Sequence, residues 1–169
     1  MEINIDMSGV DALARKFDTT PQVIADEMEN TMWASVKAVE QAIGTRTPVG
    51  ATGNLRRIKG NVGGQSLEGT LEGTVLFEEP YAPYVEDGRA PGRMPPPDAL
   101  AYWALRKPAT LPGETPEQAG WRLAMSIAKK GTKAAHMVKD GWAASRNTVI
   151  DLWKTIDRRI AQRIEDKLK

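Results

Sequence analysis

Cysteine is absent from the chain, and histidine occurs once. Without thiols there are no disulfide staples, no thiolate zinc sites and no cysteine nucleophile, and synthesis in a reducing cytoplasm is the simplest expectation. A Ser–His–Asp arrangement would have to use His136, which has no GxSxG elbow or other nucleophile context around it. It reads as a packing or surface histidine. No apolar run approaches the ~20 residues that a membrane span needs. The opening MEINIDMSGV has neither a basic nor an apolar segment, so no secretory signal is expected. The net charge is +1, so no global field draws the chain to nucleic acid or membrane, and any charged partner must be met by a local patch. What is present suits one soluble globular domain: 169 residues, 41% apolar and 27% charged, enough to build a core.

The pattern along the chain predicts mixed α and β structure. Alternation over Glu2–Asp6 suggests a short strand, and Ser8 caps a short helix through Phe17. Asp18 to Thr20 cap a second helix, with Pro21 in its first turn. Met28, Met32, Val36, Val39 and Ile43 form its apolar stripe, and Gly44 is its expected end. The segment 45–54 is a loop. In the strand that follows, Ile58 and Val62 share a face opposite Arg57, Lys59 and Asn61, and Gly63-Gly64 begin a turn. A second strand places Leu67, Gly69, Leu71, Gly73, Val75 and Phe77 on one face. Its other face carries Glu68, Thr70, Glu72 and Thr74. The glycines suggest close approach by another backbone. Beyond the proline-rich loop Arg89–Pro97, Asp98 is expected to cap a short helix carrying Leu100, Tyr102, Trp103 and Leu105. Thr115 and Pro116 open another helix that Gly131 ends. The last helix is expected to run from Val138 to Lys169, about 45 Å at 1.5 Å per residue. Val149, Leu152, Trp153, Ile156, Ile160, Ile164 and Leu168 form its stripe. It is expected to pack on the helix Pro21–Ile43 over part of its length, leaving the remainder for a neighbouring subunit.

Few residues suggest chemistry. Glu78, Glu79, Glu86 and Asp87 are the nearest thing to an acidic cluster, but their spacing matches no metal or acid–base motif. No phosphate-binding loop is present. Basic residues gather around the first loop and strand (Arg46, Arg56, Arg57, Lys59), in the proline-rich loop (Arg89, Arg93) and along the last helix. There Asp157, Glu165 and Asp166 offset half of the charge and make a solvated face the simpler reading. The loop arginines could neutralise phosphates without reading sequence; pairing with acids on a neighbouring subunit is slightly favoured. Trp33, Trp103, Trp121, Trp142 and Trp153 all fall on expected helices and read mostly as core. Trp103 and Trp121, in a short helical insert with little core to share, are also candidate interface anchors.

Two motifs carry a resemblance. Thr47-Pro48-Val49-Gly50-Ala51-Thr52-Gly53-Asn54-Leu55-Arg56-Arg57-Ile58 and Tyr81-Ala82-Pro83-Tyr84-Val85-Glu86-Asp87-Gly88 occur in order after a helix. They are followed by a proline-rich loop, by Lys130-Gly131-Thr132-Lys133-Ala134-Ala135-His136-Met137 and by a long helix. This order resembles the neck and tail-completion proteins of long-tailed phages, relatives of minor tail protein Z, from about residue 10 onward. Gly50-Ala51, Arg89 and the stretch Arg93–Leu100 depart from the family's pattern.

The resemblance implies one α+β domain over residues 1–169: a small, mostly antiparallel sheet on two long helices, with a loop and helical insert at 89–135. It implies a non-enzymatic virion protein without cofactor or metal, forming a ring, sixfold to match a tail tube, at the head–tail junction. Its partners would be further copies of itself and neighbouring neck, tail terminator or tail tube proteins, with DNA passing through the lumen and no membrane. Assembly would take place in the host bacterial cytoplasm. Candidate subunit contacts are Tyr81, Tyr84, Glu86, Arg89, Arg93, Trp103 and Trp121; Arg46, Arg56, Arg57 and Lys59 are candidates for lumen or inter-subunit charge. Tyr81–Gly88 is read as a rigid root for a mobile docking loop. The other functions considered are a sequence-independent DNA-binding module using Arg46, Arg56, Arg57 and Arg93, and a carboxylate-dependent hydrolase using Glu79 and Glu86.

Overall fold

A computed structural model describes residues 20–50, 52–64, 70–107 and 109–168. The strand expected at Glu2–Asp6, the helix at Ser8–Phe17 and the capping residues Asp18 and Thr19 lie outside the described residues. The fold is α+β. In chain order it has α1 (Thr20–Arg46), a 3-10 turn (Asn54–Arg56), β1 (Ile58–Gly64), β2 (Leu71–Phe77), α2 (Ala82–Glu86), α3 (Pro97–Arg106), α4 (Pro116–Lys130), α5 (Met137–Lys154) and α6 (Ile156–Leu168). Among the described residues the two strands form an antiparallel sheet. The chain gathers into two compact units. One draws on the described residues of Met1–Val39, Gly60–Thr74 and Ser145–Lys169, and the other on Glu40–Lys59 and Val75–Ala144.

In the first unit, α1 meets the C-terminal helix through a polar seam. Glu27, Thr31 and Ser35 lie four residues apart, so they stack on one helix face, and all three are buried. The Thr31 and Ser35 hydroxyls donate back to the Glu27 and Thr31 carbonyls at 2.7 and 2.8 Å. Arg159 and Arg163, also four apart, bring their guanidinium groups to the Glu27 carboxylate at 2.8 and 3.1 Å. Arg159 also donates to the Thr31 hydroxyl at 2.6 Å, and the Trp153 indole donates to the Ser35 hydroxyl at 3.1 Å. A buried carboxylate and two buried hydroxyls thereby have partners, which is what permits polar groups in such a seam. The expected packing of the last helix on the first is present here.

Two expectations for these helices need correction. Gly44 does not end α1, which continues through Arg46. Thr47 ends it: both its N–H and its hydroxyl donate to the Ile43 carbonyl at 2.9 Å, which closes the last turn. Nor is the last helix continuous, since it breaks at Thr155 between α5 and α6. There the Thr155 hydroxyl bonds to the Asp151 and Leu152 carbonyls, and the Arg159 guanidinium also takes the Leu152 carbonyl. Side-chain donors inserted into the helical ladder are a physical cause of bending.

The alternation expected in β1 is present, whereas in β2 Thr74 is partly covered like Leu71 and Val75 while Gly73 is exposed, and Leu67, Glu68 and Gly69 lie outside the described residues. Ile58, Gly60 and Val62 are partly covered while Lys59 and Asn61 are exposed. Gly63 and Gly64, expected to begin the turn, are the last residues of β1. In β2 a Cβ on Gly73 would stand 2.6 Å from Val36 Cγ2 and 2.7 Å from Met32 Sδ, so the strand lies on α1 at glycine distance.

The second unit has a small core of Leu55, Ala82 and Met137, with Phe77 and Val85 packed against it. A Cβ on Gly141 would be 2.6 Å from Ile43 Cγ1, so the start of α5 crosses the end of α1 almost backbone to side chain. The unit also holds the closely packed helical hairpin α3–α4. Asp98 does not cap α3. Pro96 occupies the cap position and Asp98 lies in the first turn, where its charge suits the helix N-terminus. Thr115 caps α4 as expected, in a reciprocal capping box with Gln118, and Gly131 ends it at φ +72°.

Candidate docking site

Both motifs that carry the resemblance fall in the second unit and meet in its core. Leu55 comes from the first, Ala82 and Val85 from the second, and Met137 is the first residue of α5. The first motif is tied to itself by Arg56, whose Nε donates to the Thr47 carbonyl at 3.0 Å. The Thr52 hydroxyl bonds to Tyr81. Burial raises the Tyr81 phenol above its ordinary pKa, the Glu79 charge adds to this, and the Thr52 bond opposes it. Lys59 pairs with Glu78, and this hydrogen bond holds the Glu78 carboxyl below the usual range.

Within Tyr81–Gly88 the residues Ala82–Glu86 form the short helix α2. Its C-terminal end anchors α5. The Glu86 carboxylate accepts the Val138 and Lys139 N–H groups at 2.7 and 3.0 Å. The Val85 and Glu86 carbonyls accept from Ala135 and His136 at 2.8 and 3.1 Å. Glu86 thus caps, from 52 residues away, a helix whose preceding residue is His136 in the left-handed region at φ +49°. A histidine ring offers no oxygen for an N-cap bond, and a carboxylate at a helix N-terminus is favoured by both hydrogen bonding and charge. His136 itself is exposed.

The loop after Gly88 is pinned rather than free. Arg89 forms an antiparallel bridge with Thr132, its guanidinium donates to the Arg93 carbonyl, and the Gly92 N–H donates to the Ala128 carbonyl at 2.8 Å. Gly88 and Gly131 are required in this arrangement. Both have positive φ and both face backbone across the bridge, where a Cβ would collide.

The helical hairpin has its residue sizes inverted. Its interior is small: Ala104, Ala119 and Ala124 are fully buried. A Cβ on Gly120 would meet the Pro97 carbonyl at 2.5 Å and the Ala101 nitrogen at 2.9 Å. Its outer surface is large and apolar. Trp121 is 54% exposed, Met125 52%, Leu105 62%, Tyr102 45% and Trp103 37%. Trp121 and Met125, four residues apart, share one face of α4, and the Arg106 guanidinium lies over the Tyr102 ring. The connection between the helices is held by Arg122. It grips Glu114 with two hydrogen bonds of 2.7 and 2.9 Å and reaches the Ala109 carbonyl at 2.7 Å. The Arg122 bond, with a further one from the Leu111 N–H, lowers the Glu114 carboxyl to about 2.

The expectation of mostly buried tryptophans is overturned. Trp33, Trp103, Trp121 and Trp142 are all more than a third exposed, and only Trp153 is substantially covered. Helical periodicity marks an apolar face but does not say whether the chain's own residues fill the space opposite it. Tyr84 and Tyr81 are also exposed, at 61% and 40%. Of the basic candidates, Arg56 and Lys59 are turned to the protein's own acceptors, and Arg46 bonds to the Ala42 carbonyl in its own helix at 2.9 Å. Arg57 and Arg93 are exposed. The residues that sequence reading missed are Arg122 and Glu114, and the seam Glu27, Thr31 and Ser35 with Arg159 and Arg163. The seam's signal was available as two polar ladders with matching spacing of four.

Beside Glu86 lies an open pocket of about 470 Å³. It is lined by Phe77, Pro80, Pro83, Met137 and Val138 together with the acids Glu79, Glu86 and Asp87. No cluster of side chains suited to a metal ion is present among the described residues, and no described helix is long and apolar enough to cross a membrane. No family model, curated protein or solved structure matches the chain.

Proposed function

We propose that the chain is a structural assembly subunit, a ring-forming component of the neck or head-proximal tail end of a long-tailed phage particle. The observation that carries an assembly role is the inverted hairpin. Large aromatic and aliphatic side chains on its outer surface gain nothing in the isolated chain, whereas Trp and Tyr on a rigid helical support are the residues that most often anchor protein interfaces. The phage assignment rests on the ordered motifs around Thr52-Gly53-Asn54-Leu55 and Tyr81–Gly88. Their packing into one core with Met137 gives a physical reason for them to occur together.

The other functions lose support residue by residue. Glu86 is committed to capping α5, which leaves Glu79 without its partner in the hydrolytic pair. Arg56 satisfies the Thr47 carbonyl, which leaves fewer cations for duplex DNA. The test is particle assembly. Electron microscopy of the purified protein is expected to show closed rings, and a phage lacking the gene should accumulate heads and tails that do not join. Normal infectious particles from that deletion would contradict the assignment.

A further inference from the structure

The pocket at the start of α5 has an apolar floor of Phe77, Pro83 and Met137 and an acidic rim of Glu79 and Asp87. Among the described residues neither rim carboxylate has a cation within ion-pair distance. Glu86, the third acid, is already occupied by the N–H groups of Val138 and Lys139. The site therefore offers apolar surface beside two unneutralised negative charges. Its volume, about 470 Å³, falls in the ~300–1,000 Å³ range of pockets that take a compact ligand or a pair of side chains.

The complementary feature is on the same chain. Arg93 and Met94 are exposed at the tip of the loop that follows Gly88. Among the described residues the Arg93 guanidinium has no acid within ion-pair distance, while the Arg93 carbonyl accepts from Arg89. Prolines at 91, 95, 96 and 97 restrict the backbone on both sides. Together with the Gly92–Ala128 hydrogen bond, they present Arg93-Met94 with little left to order on contact, which reduces the entropy lost in docking.

We propose that Arg93-Met94 of one copy enters the pocket of the next, the guanidinium between Glu79 and Asp87 and the thioether on Phe77 and Met137. A contact between two different surfaces of identical chains is heterologous, the kind that closes rings. This deepens the assembly reading above and rests on it. The hairpin supplies apolar area; the loop and pocket fix direction and register through charge.

The absence of native cysteine makes a clean test possible. Two full-length variants, Met94→Cys and Val138→Cys, are mixed in equal amounts under mild oxidation, and native mass spectrometry follows the unmodified protein in parallel. The expected result is a disulfide-linked heterodimer between the two variants that falls at least tenfold when Arg93→Glu is added to the first. It returns when Asp87→Arg is added to the second. An assembled protein that gives no such cross-link, or one insensitive to Arg93→Glu, overturns the loop-in-pocket contact and leaves the ring intact. A protein that remains monomeric at tens of micromolar and gives no cross-link overturns both.

Discussion

Two helical pairings in this molecule solve the same problem in opposite ways. In the first unit, α1 and the C-terminal helices bury polar groups and satisfy them: Glu27, Thr31 and Ser35 on α1, Trp153 at the end of α5 and Arg159 and Arg163 on α6. In the second, α3 and α4 bury alanine and glycine and leave tryptophan, tyrosine, leucine and methionine outside. The first pairing is complete within one chain. The second brings two backbones close and uses them as a platform. On the proposed assembly role, the difference separates a contact made for folding from a surface available to a neighbouring subunit, although both read in sequence as amphipathic helices.

The comparison breaks most visibly at Gly120. Replacing it with leucine would drive a side chain into the Pro97 carbonyl and the Ala101 backbone. It is expected to cost about 3 kcal/mol or more, measured by urea unfolding. A neutral effect would mean that the hairpin is not packed through its small residues. On the other side, Glu27→Ala strands two arginines that retain some solvent access, with side chains 36% and 49% exposed. It should destabilise by about 1–3 kcal/mol, less than a fully buried pair would. A Glu27→Ala protein with unchanged thermal unfolding would show that the seam is not needed for folding.

The outer aromatic residues should behave in the reverse manner. Trp121→Ala is expected to leave monomer stability within about 0.5 kcal/mol, as an exposed site does, while weakening association by about 2 kcal/mol, roughly thirtyfold. Glu86→Ala removes the carboxylate cap of α5 and should cost about 1 kcal/mol. Glu86→Gln should recover part of that through one remaining acceptor. Hydrogen exchange at the Val138 and Lys139 amides would rise in the alanine variant and report the cap directly.

The smallest effect concerns acid. The Glu114 carboxyl, held at about 2 by Arg122, is depressed below an ordinary glutamate. Its stabilising contribution is therefore complete above the ordinary carboxylate range, about 4.3, and is lost as pH falls through about 2. Trp103 and Trp121 fluorescence should report loosening of the hairpin in that interval, and Glu114→Gln should abolish the pH dependence of that signal.

How much of this was readable before the structure depends on which interaction decided each element. The capping box at Thr115 and Gln118, the glycine end at Gly131 and the alternation of Ile58 and Val62 are local, and local chemistry fixes them. Gly73 was readable as a close approach, although not the identity of its neighbours Val36 and Met32. What sequence reading missed is decided at a distance. Thr47 displaces Gly44 as the end of α1 because its hydroxyl reaches back to Ile43. The C-terminal helix bends because Thr155 and Arg159 compete for carbonyls of its own ladder. Glu86 caps a helix that starts some fifty residues later. The exposure of the tryptophans has a related cause: periodicity gives the apolar face, and only the fold shows that alanine lies between α3 and α4.

The central claim is that the outer face of the α3–α4 hairpin is an interface between subunits. Sedimentation velocity on the full chain and on the Trp103→Ala, Trp121→Ala double variant tests it most directly. The account predicts a closed oligomer for the first and a folded monomer, with the same unfolding midpoint as the dissociated parent, for the second. An unmodified chain that sediments as a monomer at every accessible concentration, or a double variant that assembles as well as its parent, would contradict it.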